Sequence, residues 1–422
     1  MGSALIHADT DEFTECAMLS TATNNTPGNS TAINCSQPNG AIKASVLADM
    51  NKILTDHHAV NFGLQKYRHG LEWDWAHPRG YLVAIKDSIT AQPLPKAPPL
   101  TEDKCAAYAP RQYPDTFKVV CPVDIPIFQH LLAKHPNRPF VDSVVHGLTH
   151  GFWPMASIPS DEVVDHPNHK VCYEHPEVLT TTRDEEVAAG RFSSPFHHLL
   201  PGMKVSPLLL ASKPGSNKLC MCTNMSFGQP SLNDLIDKDK AHVSYSPLAT
   251  FGPYMKEVPF AAALLILWKS DVAWAYQNMP MHPQWQIRQI IKIANLYYGD
   301  RCTNFGLAAS PKIWCSFFSL VLWIAINRLR GVKMLLNQAL LLLLFDTINL
   351  PWVWKKQLSG QQLKIIGHYV NAVRLSFSLS PEKKAALDKN LQTFTAQTAH
   401  RLRVWQSTLG WASWGLNAIP YG

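Results

Sequence analysis

The spacing of apolar and polar positions along the chain predicts a mixture of helices and strands. Ile125–Ala133 and Val141–Leu148 carry apolar residues at helical spacing, and Asp184–Ala189 is expected to begin a helix that Gly190 ends. The longer apolar runs Ser310–Ile326 and Met334–Ile348 are typical of buried helices. The pattern is that of an α+β protein.

Strand signals are concentrated in the middle of the chain. Val205–Ser212 and Lys218–Thr223 are short apolar runs separated by Pro214-Gly215-Ser216-Asn217, which predicts a β-hairpin. Leu264–Asp271 is an apolar run that ends on an acid, as expected for a buried strand. Near the other end, Ser380–Ala396 predicts a helix with Pro381 at its first position.

Other segments lack such periodicity. Residues 1–42 are rich in Thr, Asn, Ser and Gly, and we expect a disordered tail. Residues 43–116 are expected to contain a short helix at Ala44–Leu54 and a linker rich in proline, with Pro93, Pro95, Pro98 and Pro99. Residues 117–183 are expected to form a helical N-terminal extension.

Composition narrows the class of protein. Of the 422 residues, 46% are apolar and only 16% are charged, which is too apolar for a disordered chain. Nine cysteines, an odd number in a long chain, argue against a disulfide scaffold and favour a reducing compartment. The first residues contain no secretion signal, so we expect an intracellular protein of the cytoplasm or nucleus. The apolar runs fall short of the ~20 residues that a bilayer requires, so we expect no membrane association.

Charge is unevenly distributed along the chain. Residues 1–200 contain 15 Lys and Arg against 22 Asp and Glu, a balance of −7. Residues 201–422 contain 23 against 9, a balance of +14. A basic half of this size favours an acidic polymer as partner, so we expect RNA or DNA strands to bind there.

Two motifs carry the clearest chemical signal. Asp271 ends an apolar run, Tyr276 follows five residues later, and the turn Met279-Pro280-Met281-His282-Pro283 comes next. Further on, Asn304-Phe305-Gly306 and Ser310-Pro311 precede a buried helix. This order resembles the reverse transcriptases of retrotransposons, and most closely those of the type that encodes a tyrosine recombinase.

The resemblance extends over residues from about 117 to 420 and implies a right-hand polymerase. Fingers would occupy 184–258, a palm 259–372, and a thumb-like helical end 373–422. The upstream run from Glu186 to Phe192 is similar to the fingers, whereas Lys355-Lys356 and Ile365-Ile366-Gly367 are similar to the closing palm motifs. The implied ancestral activity is RNA-directed DNA polymerisation by two-metal nucleotidyl transfer.

The resemblance also assigns roles to residues. Asp271 would be a catalytic ligand of Mg²⁺ or Mn²⁺, and Tyr276 would exclude the ribose 2′-hydroxyl of the incoming nucleotide. Phe305 and Gly306 would line the nucleotide pocket, and Lys213 would lie near the template or the triphosphate. Lys355 and Lys356 would contact nucleic acid, although a solvated turn is the alternative.

Several departures from the family pattern predict an impaired enzyme. The paired-Asp motif Y-x-D-D is absent, and the acids after Asp271 are not adjacent to one another: Asp300, Asp346, Glu382 and Asp388. The Arg and Asp of the fingers hairpin are replaced by Cys220 and Asn224. Because two metals about 3.5–4 Å apart need several converging carboxylates, we expect no productive metal binding. The missing motif also indicates a truncated, internally deleted copy. Asp271 is expected to lie apart from Asp346.

Other interpretations stay open. Two alternatives to an impaired polymerase are a non-catalytic remnant that binds nucleic acid through its basic half and an intracellular scaffold for protein interactions. A histidine- and cysteine-containing run, His166 to His175, is spaced poorly for zinc, and His146 and His150 lack the intervening Glu of a metalloprotease helix. The oligomeric state is not indicated.

Overall fold

Helices and strands alternate along the part of the chain that the computed structural model describes, which comprises residues 16–22, 88–212, 218–243, 264–328, 338–365, 367–374, 376–396 and 400–416. The helices there are α1 (Lys104–Gln112), α2 (Ile125–Leu131), α3 (Arg138–His150), α4 (Lys170–Glu174), α5 (Pro176–Ala188), α6 (Pro283–Gln286), α7 (Ser310–Arg328), α8 (Gln338–Thr347), α9 (Pro381–Thr395) and α10 (Leu402–Leu416). The strands there are β1 (Cys16–Ala22), β2 (Val164–Asp165), β3 (Lys204–Val205), β4 (Leu208–Ser212), β5 (Leu219–Thr223), β6 (Leu264–Ser270), β7 (Ile290–Ile293), β8 (Leu296–Gly299), β9 (Leu358–Gly360), β10 (Gln362–Ile365), β11 (His368–Asn371) and β12 (Ser376–Leu379). The predicted α+β class is confirmed.

Capping residues fix where the longer helices begin. The Asn137 side chain accepts the amide hydrogen of Phe140 at the start of α3, and the helix ends at Gly151 with φ of 87°. The Ser380 side chain accepts the amide hydrogen of Lys383 at 3.3 Å, which begins α9 where the sequence predicts a helix. Both caps satisfy amide groups that a helix leaves without an internal partner.

The described strands form several small sheets. β6 is central in an antiparallel sheet of order β1-β6-β9, with Leu267 opposite both Leu19 and Gly360. β10, β11 and β12 form an antiparallel meander. β2, β3 and β7 pair in parallel, and β8 adds to β7 in the antiparallel sense.

The predicted hairpin is present but shorter than expected. β4 and β5 pair antiparallel with Leu208 opposite Thr223, whereas Val205 belongs to β3 and pairs in parallel with Ile290. Pro207 separates the two strands, because proline lacks the amide hydrogen that a continuous ladder needs. The carbonyl of Pro207 accepts the Asn224 amide instead, at 2.8 Å.

The main core forms around α7. Side chains along this helix are fully buried against α2, α3, α8 and β6: Ile313, Phe317, Leu320, Val321 and Ile324. Among the described residues α7 is the helix long and apolar enough to span a membrane, but 67% of the stretch Ser310–Asn327 is buried inside the protein. Its apolar surface is therefore accounted for by the core, as predicted.

The proline-rich segment predicted as a linker packs onto α3. Leu94 is buried, and its amide donates to Ser143 Oγ at 2.9 Å. The Asn137 amide group donates to the carbonyl of Ala91 at 2.8 Å. These bonds replace the solvent contacts of a free linker, so this segment is part of the fold.

Two predicted boundaries do not separate folded units. The boundary at 184 falls inside α5, and the boundary at 373 lies between β11 and β12, which pair with each other. Within the predicted tail, residues 16–22 form β1. The helix predicted at Ala44–Leu54 lies outside the described residues.

Candidate functional site

Asp271 follows directly after the central strand β6. Val272 forms a bridge with Trp352, and the Ala273 amide donates to the Pro351 carbonyl at 3.0 Å. The Gln357 side chain donates to the backbone carbonyl of Asp271 at 2.8 Å. The segment 351–357 is thereby fixed alongside the end of β6.

The Asp271 carboxylate forms an ion pair with Lys356. Lys356 Nζ lies 2.8 Å from Asp271 Oδ2, and the two side chains are 46% and 7% exposed respectively. A 3-10 turn over Trp354–Lys356 presents this ammonium group to the end of β6. Lys356, predicted to contact nucleic acid, thus compensates the charge of a buried carboxylate. Lys355, the other lysine of this prediction, is also exposed.

Two of the acids that follow Asp271 have other partners. Asp346 Oδ1 accepts the indole N–H of Trp352 at 2.8 Å, and Asp300 lies in a separate buried network described below. In the part of the chain that the structure describes, no group of three or more His, Cys, Asp or Glu side chains is placed to hold a metal ion. These residues do not fit a two-metal centre, which needs several converging carboxylates.

Tyr276 and Phe305, both assigned to the nucleotide pocket by the resemblance, lie next to each other, and Gly306 follows Phe305. The Tyr276 and Phe305 rings lie with centroids 4.8 Å apart, and Tyr276 is buried whereas Phe305 is exposed. Thr303 Oγ1 donates to the Tyr276 carbonyl at 2.6 Å, which ties the two motifs to each other. Lys213 lies outside the described residues.

The turn at Gly306 packs against the end of the hairpin. A Cβ at this position would lie 1.9 Å from the Thr223 carbonyl oxygen, so only glycine fits. Asn233 donates to the Gly306 carbonyl at 2.8 Å and holds the turn in place. The resemblance implied that a nucleotide would approach the backbone of Gly306 closely. Here the end of β5 occupies that position.

A buried network of charged residues adjoins this turn. Arg191 binds Glu186 through two hydrogen bonds of 2.5 and 2.7 Å, and its guanidinium lies 5.2 Å from the centroid of the Trp274 ring. Asn304 donates to Asp300 Oδ2 at 2.9 Å. Burial raises the pKa of the Asp300 carboxyl to about 7, although hydrogen bonds from Asn304 and the Cys302 amide favour the charged form.

This network was not indicated by the sequence. Asp300 has no other acid near it in the sequence, and its partner Asn304 is recognisable only as part of the Phe305-Gly306 motif. Asn304 Oδ1 also accepts the Gly306 amide at 3.0 Å, so Asp300 positions the turn through Asn304. The resemblance pointed to the turn but not to the acid beneath it.

The histidine- and cysteine-containing run makes structural contacts. Cys172 is buried and its thiol donates to the Leu208 carbonyl, while His169 shares a hydrogen bond with the Asn224 side chain at 3.1 Å. The His166 ring packs edge-on against Phe227. The cysteines whose side chains are described are all free thiols.

Several basic residues of the C-terminal half bind acidic side chains or backbone carbonyls of the protein itself. Arg288 and Asp103 form a fully buried ion pair at 2.8 Å, and Lys292 pairs with Asp165 at 2.9 Å. Arg301 is buried and donates to backbone carbonyls. The basic half is therefore not one continuous basic surface.

Comparison with known proteins gives distant matches among solved structures. No protein-family model and no curated protein matches the chain. Among solved structures, the foamy viral protease–reverse transcriptase dRH in complex with double-stranded DNA has 13% identity and a TM-score of 0.42, covering 62% of this chain and 43% of that one. The foamy viral protease–reverse transcriptase with double-stranded DNA has 13% identity and a TM-score of 0.40, covering 68% and 61%. Its complex with an RNA/DNA hybrid has 11% identity and a TM-score of 0.40, covering 68% and 39%. The present chain spans less than two thirds of the length of each.

Proposed function

We propose that this chain is a nucleic-acid-binding protein with a reverse-transcriptase-like domain in which Asp271 does not serve as a polymerase metal ligand. The observation that carries this proposal is the 2.8 Å ion pair between Asp271 and Lys356. The carboxylate that the sequence motif assigns to a divalent cation already has a positive charge beside it.

The positive charge of Lys356 disfavours a metal ion at Asp271. A cation bound at Asp271 would lie next to the Lys356 ammonium, and like charges 4 Å apart repel by about 4 kcal/mol per unit charge at an effective dielectric constant of 20. A second carboxylate could offset this repulsion. The sequence after Asp271 has no adjacent acids, so it lacks the paired carboxylates of the polymerase motif.

The remaining basic residues support binding to nucleic acid. Residues 351–422 contain nine Lys and Arg against two Asp and Glu. Apart from Lys356, which pairs with Asp271, most of these basic residues are exposed: Lys355, Lys364, Arg374, Lys384, Lys389, Arg401 and Arg403. Exposed cations of this kind bind phosphates without reading sequence. The proposed contact residues thus lie in 351–422 and not throughout the basic half, 201–422.

Fluorescence anisotropy with a labelled single-stranded oligonucleotide tests this function. We expect sequence-independent binding whose log affinity falls linearly with log salt concentration, by roughly 0.7 for each phosphate that is neutralised. The double variant Lys384→Ala/Lys389→Ala should reduce that slope by about 1.4. Lys170→Ala removes an exposed lysine of α4 and should leave the slope unchanged. Affinity that does not respond to salt would refute the proposal.

A further inference from the structure

A solvent-exposed tryptophan lies beside the Asp271–Lys356 pair. Trp354 is 74% exposed, the highest value among the exposed large apolar side chains that the structure describes. The Trp354 indole therefore presents most of its surface to solvent beside this ion pair. Since the Lys356 amide donates to Val353 and the Gln357 amide to Trp354, the backbone around this side chain is fixed.

A second tryptophan limits the orientation of the first. Trp352 lies with its ring centroid 6.1 Å from that of Trp354, at an interplanar angle of 52°. The Trp352 indole N–H is bound to Asp346, and its backbone forms a bridge with Val272. The exposed Trp354 ring is therefore supported from one side by a ring that is itself anchored.

The positive charge next to the Trp354 ring indicates which class of partner could bind there. Lys355 follows Trp354 directly and is exposed, and residues 351–422 are strongly basic. An aromatic ring beside exposed ammonium groups fits a base and its phosphate, because bases stack on aromatic side chains while phosphates bind lysine. A base in the interior of a duplex is already stacked and cannot reach such a ring.

We propose that Trp354 is a stacking platform for an unpaired nucleobase, with Lys355 binding the adjacent phosphate, so that the protein prefers single strands to continuous duplex. This inference rests on the proposed nucleic-acid-binding function and specifies its substrate class. Stacking contributes to affinity at every salt concentration, whereas the Lys355 contact is weakened by salt. Loss of Trp354 should therefore lower the affinity at every salt concentration, whereas loss of Lys355 should change the salt dependence.

Anisotropy titrations of the full-length chain across a salt series test the platform. Trp354→Ala should weaken binding of a single-stranded oligonucleotide by about tenfold at all salt concentrations with an unchanged salt slope. Trp354→Phe should restore most of the affinity. Lys355→Ala should reduce the slope by roughly 0.7. Tyr173→Ala, which removes a 65% exposed aromatic ring from α4, is the matched control and should change neither quantity.

A closed dumbbell duplex without free ends provides the comparison substrate. Trp354→Ala should leave its binding unchanged, because no unpaired base is available to stack. If the wild-type chain binds single strands but Trp354→Ala binds them equally well, the platform is refuted while the proposed function stands. If the wild-type chain binds no nucleic acid, the proposed function fails and the platform with it. A similar loss on the dumbbell would contradict the preference for unpaired bases.

Discussion

Replacing Lys356 by methionine removes the positive charge beside Asp271 while keeping a side chain of similar length. The Asp271 carboxylate is 7% exposed and would be left without this cation. Removing one partner of a fully buried ion pair costs about 3–5 kcal/mol, and exposed pairs contribute about 0–1 kcal/mol. Because Lys356 is 46% exposed, we expect an intermediate loss of about 1–2 kcal/mol in the free energy of unfolding.

Urea unfolding followed by tryptophan fluorescence measures this loss. At a slope of about 3 kcal/mol per molar urea, the unfolding midpoint should fall by about 0.5 M. Lys355→Met removes the neighbouring exposed lysine and is the control, for which we expect no more than a few tenths of a kcal/mol. The double variant Asp271→Asn/Lys356→Met should recover most of the loss, because it removes the carboxylate charge together with its cation. Equal midpoints for Lys356→Met and Lys355→Met would refute the role of the ion pair.

Other perturbations follow from the same contacts. Gly306→Ala would force a methyl group against the Thr223 carbonyl and should lower the free energy of unfolding by about 1–3 kcal/mol, whereas an unchanged urea midpoint would show that the turn adapts freely. Asp103→Ala leaves Arg288 buried without its partner and should cost about 3–5 kcal/mol, measured in the same way; a loss below 1 kcal/mol would contradict the burial of this pair. Burial lowers the pKa of His135 from 6.5 to about 4, so the folded state binds fewer protons than the unfolded state. Stability should therefore be highest above pH 6.5 and fall as the pH decreases towards 4, and His135→Gln should flatten this fall in pH-dependent unfolding curves.

Local patterns in the sequence predicted some of the helices and strands, although α5 begins at Pro176 and not at Asp184. The α3, α7 and α9 helices and the β4–β5 hairpin lie where periodicity, capping residues and turn residues placed them. Such signals are encoded within a few neighbouring residues. The placement of β3 was wrong because its partners β2 and β7 are distant in sequence, and nothing in the local pattern distinguishes a parallel pair from the start of a hairpin.

The candidate site was predictable only in part. The resemblance named Tyr276, Phe305 and Gly306 as residues of one pocket, and the structure places the Tyr276 and Phe305 rings in contact, while their role stays a prediction. The partner of Asp271 was not predictable, since two adjacent lysines in a polar turn have the same appearance whether or not one of them reaches a buried acid. Asp300 was likewise missed, because the burial that raises its pKa arises from tertiary packing.

Primer extension measures whether Asp271 takes part in polymerisation. A primed RNA template, deoxynucleotides and either Mg²⁺ or Mn²⁺ are incubated with the purified chain, and Asp271→Asn serves as the matched variant. We expect the labelled template-primer to be bound but not extended, with no difference between wild type and Asp271→Asn. Extension by the wild-type chain that disappears in Asp271→Asn would contradict it, because Asp271 would then act as a catalytic residue in spite of Lys356.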